Sequence, residues 1–164
     1  VAQQHGRKYY ASAVGEVNVT DEMKKRSAVI GGEGNGGVIF PEIHFGRDAL
    51  TGIALFLTHL AKSGKTCSRL RKSYPDYYML KSKINLSPDT DTAAILEGVR
   101  KHFEAVPNAH ISTIDGVKID FENSWVHLRK SNTEPIIRIY SEASDENQTR
   151  RLAEDIKNII DDKQ

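Results

Sequence analysis

Gly31-Gly32-Glu33-Gly34-Asn35-Gly36-Gly37 places five glycines in seven residues, between the short apolar runs Ser27-Ala28-Val29-Ile30 and Val38-Ile39-Phe40. A backbone so poor in side chains turns sharply or approaches something that a side chain would block. The flanking runs are too short for helices. The first reads as a buried strand that stops at Gly31, and the second as a strand that ends at Pro41. The pattern G-x-G-x-x-G occurs from Gly32 to Gly37, but a dinucleotide fingerprint must open a helix at whose amino terminus the pyrophosphate sits, and here a strand follows. Gly64-Lys65-Thr66 copies the end of a P-loop in the same misleading way. Its required first glycine is His59, so it reads as a helix end followed by a Thr66 cap.

Around that loop the first half is thinly built. Thr20-Asp21-Glu22 has the cap residue and early acids of a short helix running to about Arg26. Leu50, Ile53, Leu57 and Leu60 form the stripe of an amphipathic helix from Asp48 to about Ser63. So few strands would leave a sheet edge bare, so residues 1–86 are expected to be the end of an α/β domain whose other strands lie upstream of residue 1. Leu86-Ser87-Pro88-Asp89 reads as a joint.

The charge changes sign at this joint. Residues 1–88 carry 13 Lys and Arg against 7 Asp and Glu, whereas residues 89–164 carry 10 against 15. Such an imbalance can hold two domains together, and a basic half attracts anions. Beyond the joint, Ala93, Leu96, Val99 and Phe103 mark a helix that ends before Pro107. Strands are expected over 109–114, 117–121, 124–129 and 136–142, with Asp115-Gly116 and Glu122-Asn123 as turns. Asp145-Glu146 opens a last helix carrying Leu152, Ile156, Ile159 and Ile160 on one face. The expected fold class is therefore mixed, α/β then α+β: an incomplete α/β domain over 1–86, then a four-stranded antiparallel sheet with two helices over 87–164.

The chemistry of the two halves centres on two loops. In the glycine loop, the Glu33 carboxylate can accept hydrogen bonds from two neighbouring hydroxyls, and the Asn35 amide both donates and accepts, which suits a polyol such as a sugar. A tight structural turn with an exposed Glu fits the spacing equally well. Arg129-Lys130-Ser131-Asn132-Thr133-Glu134-Pro135 joins two strands and sets a guanidinium, two hydroxyls and an amide beside backbone N–H groups, a set able to surround a dianionic phosphate. Arg138 returns on the next strand as a second cation. Glu134 would repel a phosphate, so it is expected to turn away and accept backbone hydrogen bonds or pair with an arginine. A polar hairpin loop without a ligand is the alternative.

Other classes find less support. No apolar run reaches the ~18 residues of a membrane span, and Val1-Ala2-Gln3-Gln4-His5 starts no signal peptide. A soluble, cytoplasmic protein without membrane partners is expected. The single cysteine, Cys67, makes no internal disulfide and is expected to be a buried small hydrophobe. The six histidines lack ligand spacing, so no metal site is expected in the chain. Tyr74, Tyr77 and Tyr78, with Arg69, Arg71, Lys72, Lys81 and Lys83, form a basic aromatic stretch of the kind that can stack on single strands, but Pro75 interrupts it and a domain-interface surface explains it more simply.

The two loops, in this order, resemble those of the α-D-phosphohexomutases, the family of phosphoglucomutase, phosphomannomutase and phosphoglucosamine mutase. Val14-Gly15-Glu16, the glycine loop and Gly46-Arg47-Asp48-Ala49-Leu50 look like the later part of that family's third domain, and residues 87–164 like its fourth, which has a TATA-box-binding-protein-like fold. The resemblance implies that Arg129, Ser131, Asn132 and Thr133, with Arg138 beside them, hold the substrate's phosphate, and that Glu33 and Asn35 hold its hydroxyls. It further implies interconversion of hexose 1-phosphate and 6-phosphate through a phosphoserine, with a hexose 1,6-bisphosphate as activator and intermediate and Mg²⁺ as cofactor. The serine and the metal ligands belong to the family's first two domains and have no counterpart here, so no catalytic residue and no turnover are expected of this chain alone. Where many relatives have Ser-Gly-His, this sequence has Asn35-Gly36-Gly37. The competing expectation is a freestanding anion-binding or nucleic-acid-binding α+β module. A sheet that binds RNA should display basic and aromatic residues across one face, whereas the basic residues near Asn132 are expected to be confined to a loop, which favours a phosphosugar over nucleic acid.

Overall fold

A computed structural model describes residues 1–87, 89–131 and 133–161. The chain divides into two compact units, Val1–Pro75 and Asp76–Gln164.

In the first unit, helix α1 (Glu16–Arg26) begins well before Thr20. Thr20 is not its cap. It is buried within the helix, where its hydroxyl donates to the Val17 carbonyl at 2.9 Å, the local bond that lets a threonine sit inside a helix. Lys24, Lys25 and Arg26 complement the negative end of the helix, and Ser27, at φ 50°, terminates it.

The expected strand over 27–30 does not form. The Ala28 N–H donates to the Met23 carbonyl at 2.9 Å, so the helix end claims this backbone, and Val29 and Ile30 are exposed. Pairing starts only at β1 (Gly31–Gly32), antiparallel to β2 (Val38–Ile39), with Gly32 opposite Val38. Helix α2 (Ala49–Ser63) is capped by Asp48, whose carboxylate accepts from the Thr51 N–H at 3.0 Å, and it stops at Gly64, φ 62°. Helix α3 (Cys67–Arg71) has Thr66 as its cap. Cys67, expected to be buried, is exposed because it occupies the first turn of this short surface helix.

The second unit contains β3 (Tyr78–Asn85), α4 (Thr92–Glu104), β4 (His110–Ser112), β5 (Val117–Asp120), β6 (Ser124–Lys130), β7 (Ile136–Ala143) and α5 (Glu146–Asp161). Its sheet is fully antiparallel, in the order β3-β7-β6-β5-β4. It has five strands, not the expected four. The additional strand, β3, comes from the basic aromatic stretch, and it pairs with β7 along its whole length, from Tyr78 opposite Ala143 to Asn85 opposite Ile136. That ladder draws residues 76–86 into the second unit, so the compact division falls at Pro75/Asp76, whereas the sequence places its joint after residue 86. Ser82, between Leu80 and Ile84, interrupts β3's apolar alternation, and its partner strand lies some way downstream.

Ile95, Val99 and Phe103 of α4 and Ile156 and Ile160 of α5 pack against Val117, Ile119, Val126, Leu128, Ile137 and Ile139. Both helices therefore cover one sheet face, and strand alternation sends the other set of side chains away from them. Among the described residues, no helix is long and apolar enough to cross a membrane.

Candidate functional site

The glycine loop is a tight hairpin tip. The Glu33 N–H donates to the Gly37 carbonyl at 3.0 Å and the Gly36 N–H to the Glu33 carbonyl at 3.1 Å. Glycine is needed for two different reasons. Gly36 has φ 94°, and a Cβ on Gly32 would lie 2.2 Å from the Gly37 oxygen, inside the partner backbone. The Asn35 Oδ1 accepts the Gly37 N–H at 3.0 Å, which ties its side chain to the turn and leaves the amide NH₂ to donate.

Glu33 is not the exposed turn residue of the alternative reading: its side chain is only 14% exposed, and a carboxylate oxygen lies 3.6 Å from Arg47 Nη1. Arg47 in turn is clamped by Glu16, donating from its backbone N–H and from Nε at 2.9 Å each. These two Arg47 donors hold the Glu16 carboxyl below its usual pKa. The Asp48 N–H donates to the Val38 carbonyl at 2.9 Å, fixing the start of α2 against β2. The result is an open cleft of about 560 Å³ lined in part by Glu16, Asn35, Gly36, Gly37, Arg47 and Asp48. The roles of Glu16 and Arg47 are invisible in sequence spacing, because they meet across 31 positions.

In the second unit, the Arg129-to-Pro135 segment joins β6 to β7. Arg129 Nη1 lies 3.3 Å from the Asp115 carboxylate at the tip of the β4–β5 turn. Ser131 is buried and its N–H donates to the Ile136 carbonyl at 3.0 Å, while the Thr133 N–H donates to Ser131 Oγ at 3.4 Å. Ser131 and Thr133 are thus brought together with their hydroxyls 3.5 Å apart. Asn132, predicted to complete the set, lies outside the described residues. Glu134 pairs with Arg138 at 3.3 Å, and the Pro135 carbonyl accepts the Leu86 N–H at 2.8 Å, which ties the loop exit to the end of β3.

The expectation that cations near this loop are confined to it does not hold. Strand register aligns Lys83, Arg138 and Arg129 across β3, β7 and β6 on the face away from the helices. The next row inward contains Lys81, Tyr140, His127 and Lys118, and the row beyond it contains Glu142, Trp125 and Asp120. Charge on this face runs from positive beside the loop to negative at the far end. The net acidity of the second half comes largely from residues outside its two helices, such as Asp89, Asp91, Glu122 and Asp145, which is why a count along the chain conceals this polarity.

Among the described residues, no three His, Cys, Asp or Glu side chains are grouped so as to hold a metal ion. Among these described residues no donor set fits Mg²⁺.

Residues 1–78 match the family model for phosphoglucomutase/phosphomannomutase, alpha/beta/alpha domain III, and residues 84–159 match the model for the phosphoglucomutase/phosphomannomutase C-terminal domain. A phosphoglucomutase/phosphomannomutase from Thermococcus kodakarensis is 40% identical over 154 residues, covering 94% of this chain and 33% of the relative. A phosphoglucosamine/phosphogalactosamine mutase from Sulfurisphaera tokodaii is 35% identical, covering 92% of this chain and 33% of the relative. The chain spans about a third of the length of these relatives. The crystal structure of a phosphoglucomutase/phosphomannomutase family protein from Burkholderia thailandensis shares the fold, with a TM-score of 0.77 at 21% identity, over 96% of this chain and 33% of that one. With both domain models matched in order along nearly its whole length, the chain belongs to the phosphoglucomutase/phosphomannomutase family.

Proposed function

We propose that this chain is the substrate-recognition portion of a phosphohexomutase, an enzyme that interconverts hexose 1-phosphate and 6-phosphate through a bisphosphorylated sugar. The observation that carries the proposal is the β6–β7 loop. Ser131 and Thr133 converge there beside Arg129, in a chain of this family. In this role Arg129, Ser131, Asn132 and Thr133 bind the sugar's phosphate, with Arg138 adding charge. A planar guanidinium and convergent hydroxyl and N–H donors suit the oxygens of a phosphate dianion. Glu33 and Asn35 bind sugar hydroxyls. A substrate that must present either end to the reacting group needs contacts that tolerate both orientations, and the bare glycine backbone leaves room for both.

Closure over the sugar excludes water from the transferred group. Magnesium in such an enzyme neutralises charge on the transferring phosphoryl group. This chain's residues bind and orient the sugar phosphate, and phosphoryl transfer is the work of missing amino-terminal domains of the same polypeptide. The chain alone is therefore inactive, and its place is the cytoplasm.

The basic and aromatic sheet face favours a second reading, a platform for single-stranded nucleic acid. Its rings are poorly placed for this. The Lys81 ammonium lies 5.4 Å from the Tyr140 ring centroid and that of Lys118 5.1 Å from Trp125, so cations already occupy the surfaces on which bases would stack. Calorimetric titration with a hexose 6-phosphate and with a short oligonucleotide tests the choice. The sugar phosphate should bind, and Arg129→Ala should weaken it at least ~10-fold, the scale of a lost charge-assisted contact. Tighter oligonucleotide binding that is indifferent to Arg129→Ala would defeat the mutase reading.

A further inference from the structure

We infer that Lys83 is a direct phosphate ligand, which extends the anion site from the loop onto the open face of the sheet. This rests on the phosphosugar reading above and adds a contact from a third strand. Ile84 packs against the core beneath the helices, so its neighbour Lys83 projects from the opposite face, directly across from Arg138, which in turn faces Arg129. Neighbouring strands are about 4.8 Å apart, so the three cations originate within about 10 Å of one another. The Leu86 N–H to Pro135 carbonyl bond holds this end of β3 against the loop's exit.

Like charges directly opposite one another destabilise a sheet. Two members of the row have an internal remedy, Arg129 with Asp115 and Arg138 with Glu134. Lys83 has no ion pair among the described residues and remains exposed. Its neighbour on the same face, Lys81, lies over Tyr140. The far end of the face, with Glu142 and Asp120, repels anions, so the attraction is concentrated beside Ser131 and Thr133. A row of cations with one uncompensated member next to converging hydroxyls calls for a group of charge near −2. A phosphate monoester supplies that charge, and a lysine serves it as a mobile point charge.

The experiment measures hexose 6-phosphate affinity by calorimetry at two salt concentrations, and the melting temperature without ligand, for the wild-type chain and Lys83→Gln, Lys83→Arg and Arg129→Ala. Lys83→Gln should weaken binding about 5- to 10-fold and flatten its salt dependence, while Lys83→Arg keeps most of the affinity. Without ligand, Lys83→Gln should melt at the same temperature or higher, because removing the unpaired cation relieves the row. A structural lysine would give the opposite sign. Unchanged affinity in Lys83→Gln, or weaker binding together with a lower melting temperature, overturns the inference. If Arg129→Ala still weakens binding in that case, the loop reading survives. If neither variant affects binding, or the wild type binds no sugar phosphate, both fall. An oligonucleotide that outcompetes the sugar phosphate and depends on Lys83 would show that the occupant is the wrong one.

Discussion

The two units treat their amphipathic helices differently. In the second, α4 and α5 press their stripes onto a five-stranded sheet and bury residues such as Val99, Ile137, Ile139, Ile156 and Ile160 completely. In the first, α2 has an equally regular stripe, yet Leu50, Ile53 and Leu57 are 78%, 54% and 54% exposed, and the buried apolar side chains of that unit are Met23, Ile39 and Leu70. Periodicity identifies the face a helix offers, but burial requires a partner layer. The second unit builds its own, a sheet wide enough for two helices. The first has the two-residue strands β1 and β2, too narrow a layer to cover the stripe of α2, and the chain spans about a third of the length of the relatives it matches.

The strongest test of this contrast is a pair of truncations. Ile139→Ala, at a fully buried position, should lower unfolding free energy by about 2–5 kcal/mol, whereas Ile53→Ser in the exposed stripe should change it by no more than about 0.5 kcal/mol. Trp125 is the single tryptophan and lies on β6, so its fluorescence in a urea titration reports the second unit. A shift of that transition by Ile53→Ser comparable to the shift from Ile139→Ala would break the comparison.

A smaller effect separates the two loops by their anchors. Ladder bonds hold the β6–β7 loop, and the Glu16–Arg47–Glu33 cluster holds the glycine hairpin. Arg47→Met should let the Glu16 pKa return upward to its ordinary value near 4.5, read by a carboxyl NMR titration. Because the folded-state value is depressed, the clamp stabilises the first unit above about pH 4.5 and is lost as pH falls through the lower folded value. Arg47→Met should remove that acid sensitivity. A Glu16 titration unmoved by the substitution would show that Arg47 is not the anchor. The smallest effect sharpens the account of the better-packed unit. Ser82 Oγ on β3 is buried without a hydrogen-bond partner among the described residues, so Ser82→Ala should be neutral or stabilising by up to about 1 kcal/mol in the same urea titration. A clear loss of stability would mean that the hydroxyl is satisfied.

Much of the local structure was legible because its causes are local. Asp48 and Thr66 cap helices, Gly64 ends one, and Asp115-Gly116 turns a hairpin with Gly116 at φ 70°. The errors arose where a distant or competing partner decided the outcome. The backbone after α1 went to the helix terminus instead of a strand, and β3 was recognisable only by its ladder with β7. For the candidate site, the types of residue in the two loops were readable, but not how Glu33 is held or what stands beside Arg129.

The sequence alone determined which side chains each loop contributes and which face each helix offers, because both follow from spacing along a continuous backbone. Tertiary structure decided that Lys83, Arg138 and Arg129 form one row, and that Arg47 meets Glu16 and Glu33. The physical reason is that electrostatics acts through space. A charge's neighbours are assigned by strand register and by the approach of a helix start to a hairpin, and neither is encoded in the distance between residues along the chain.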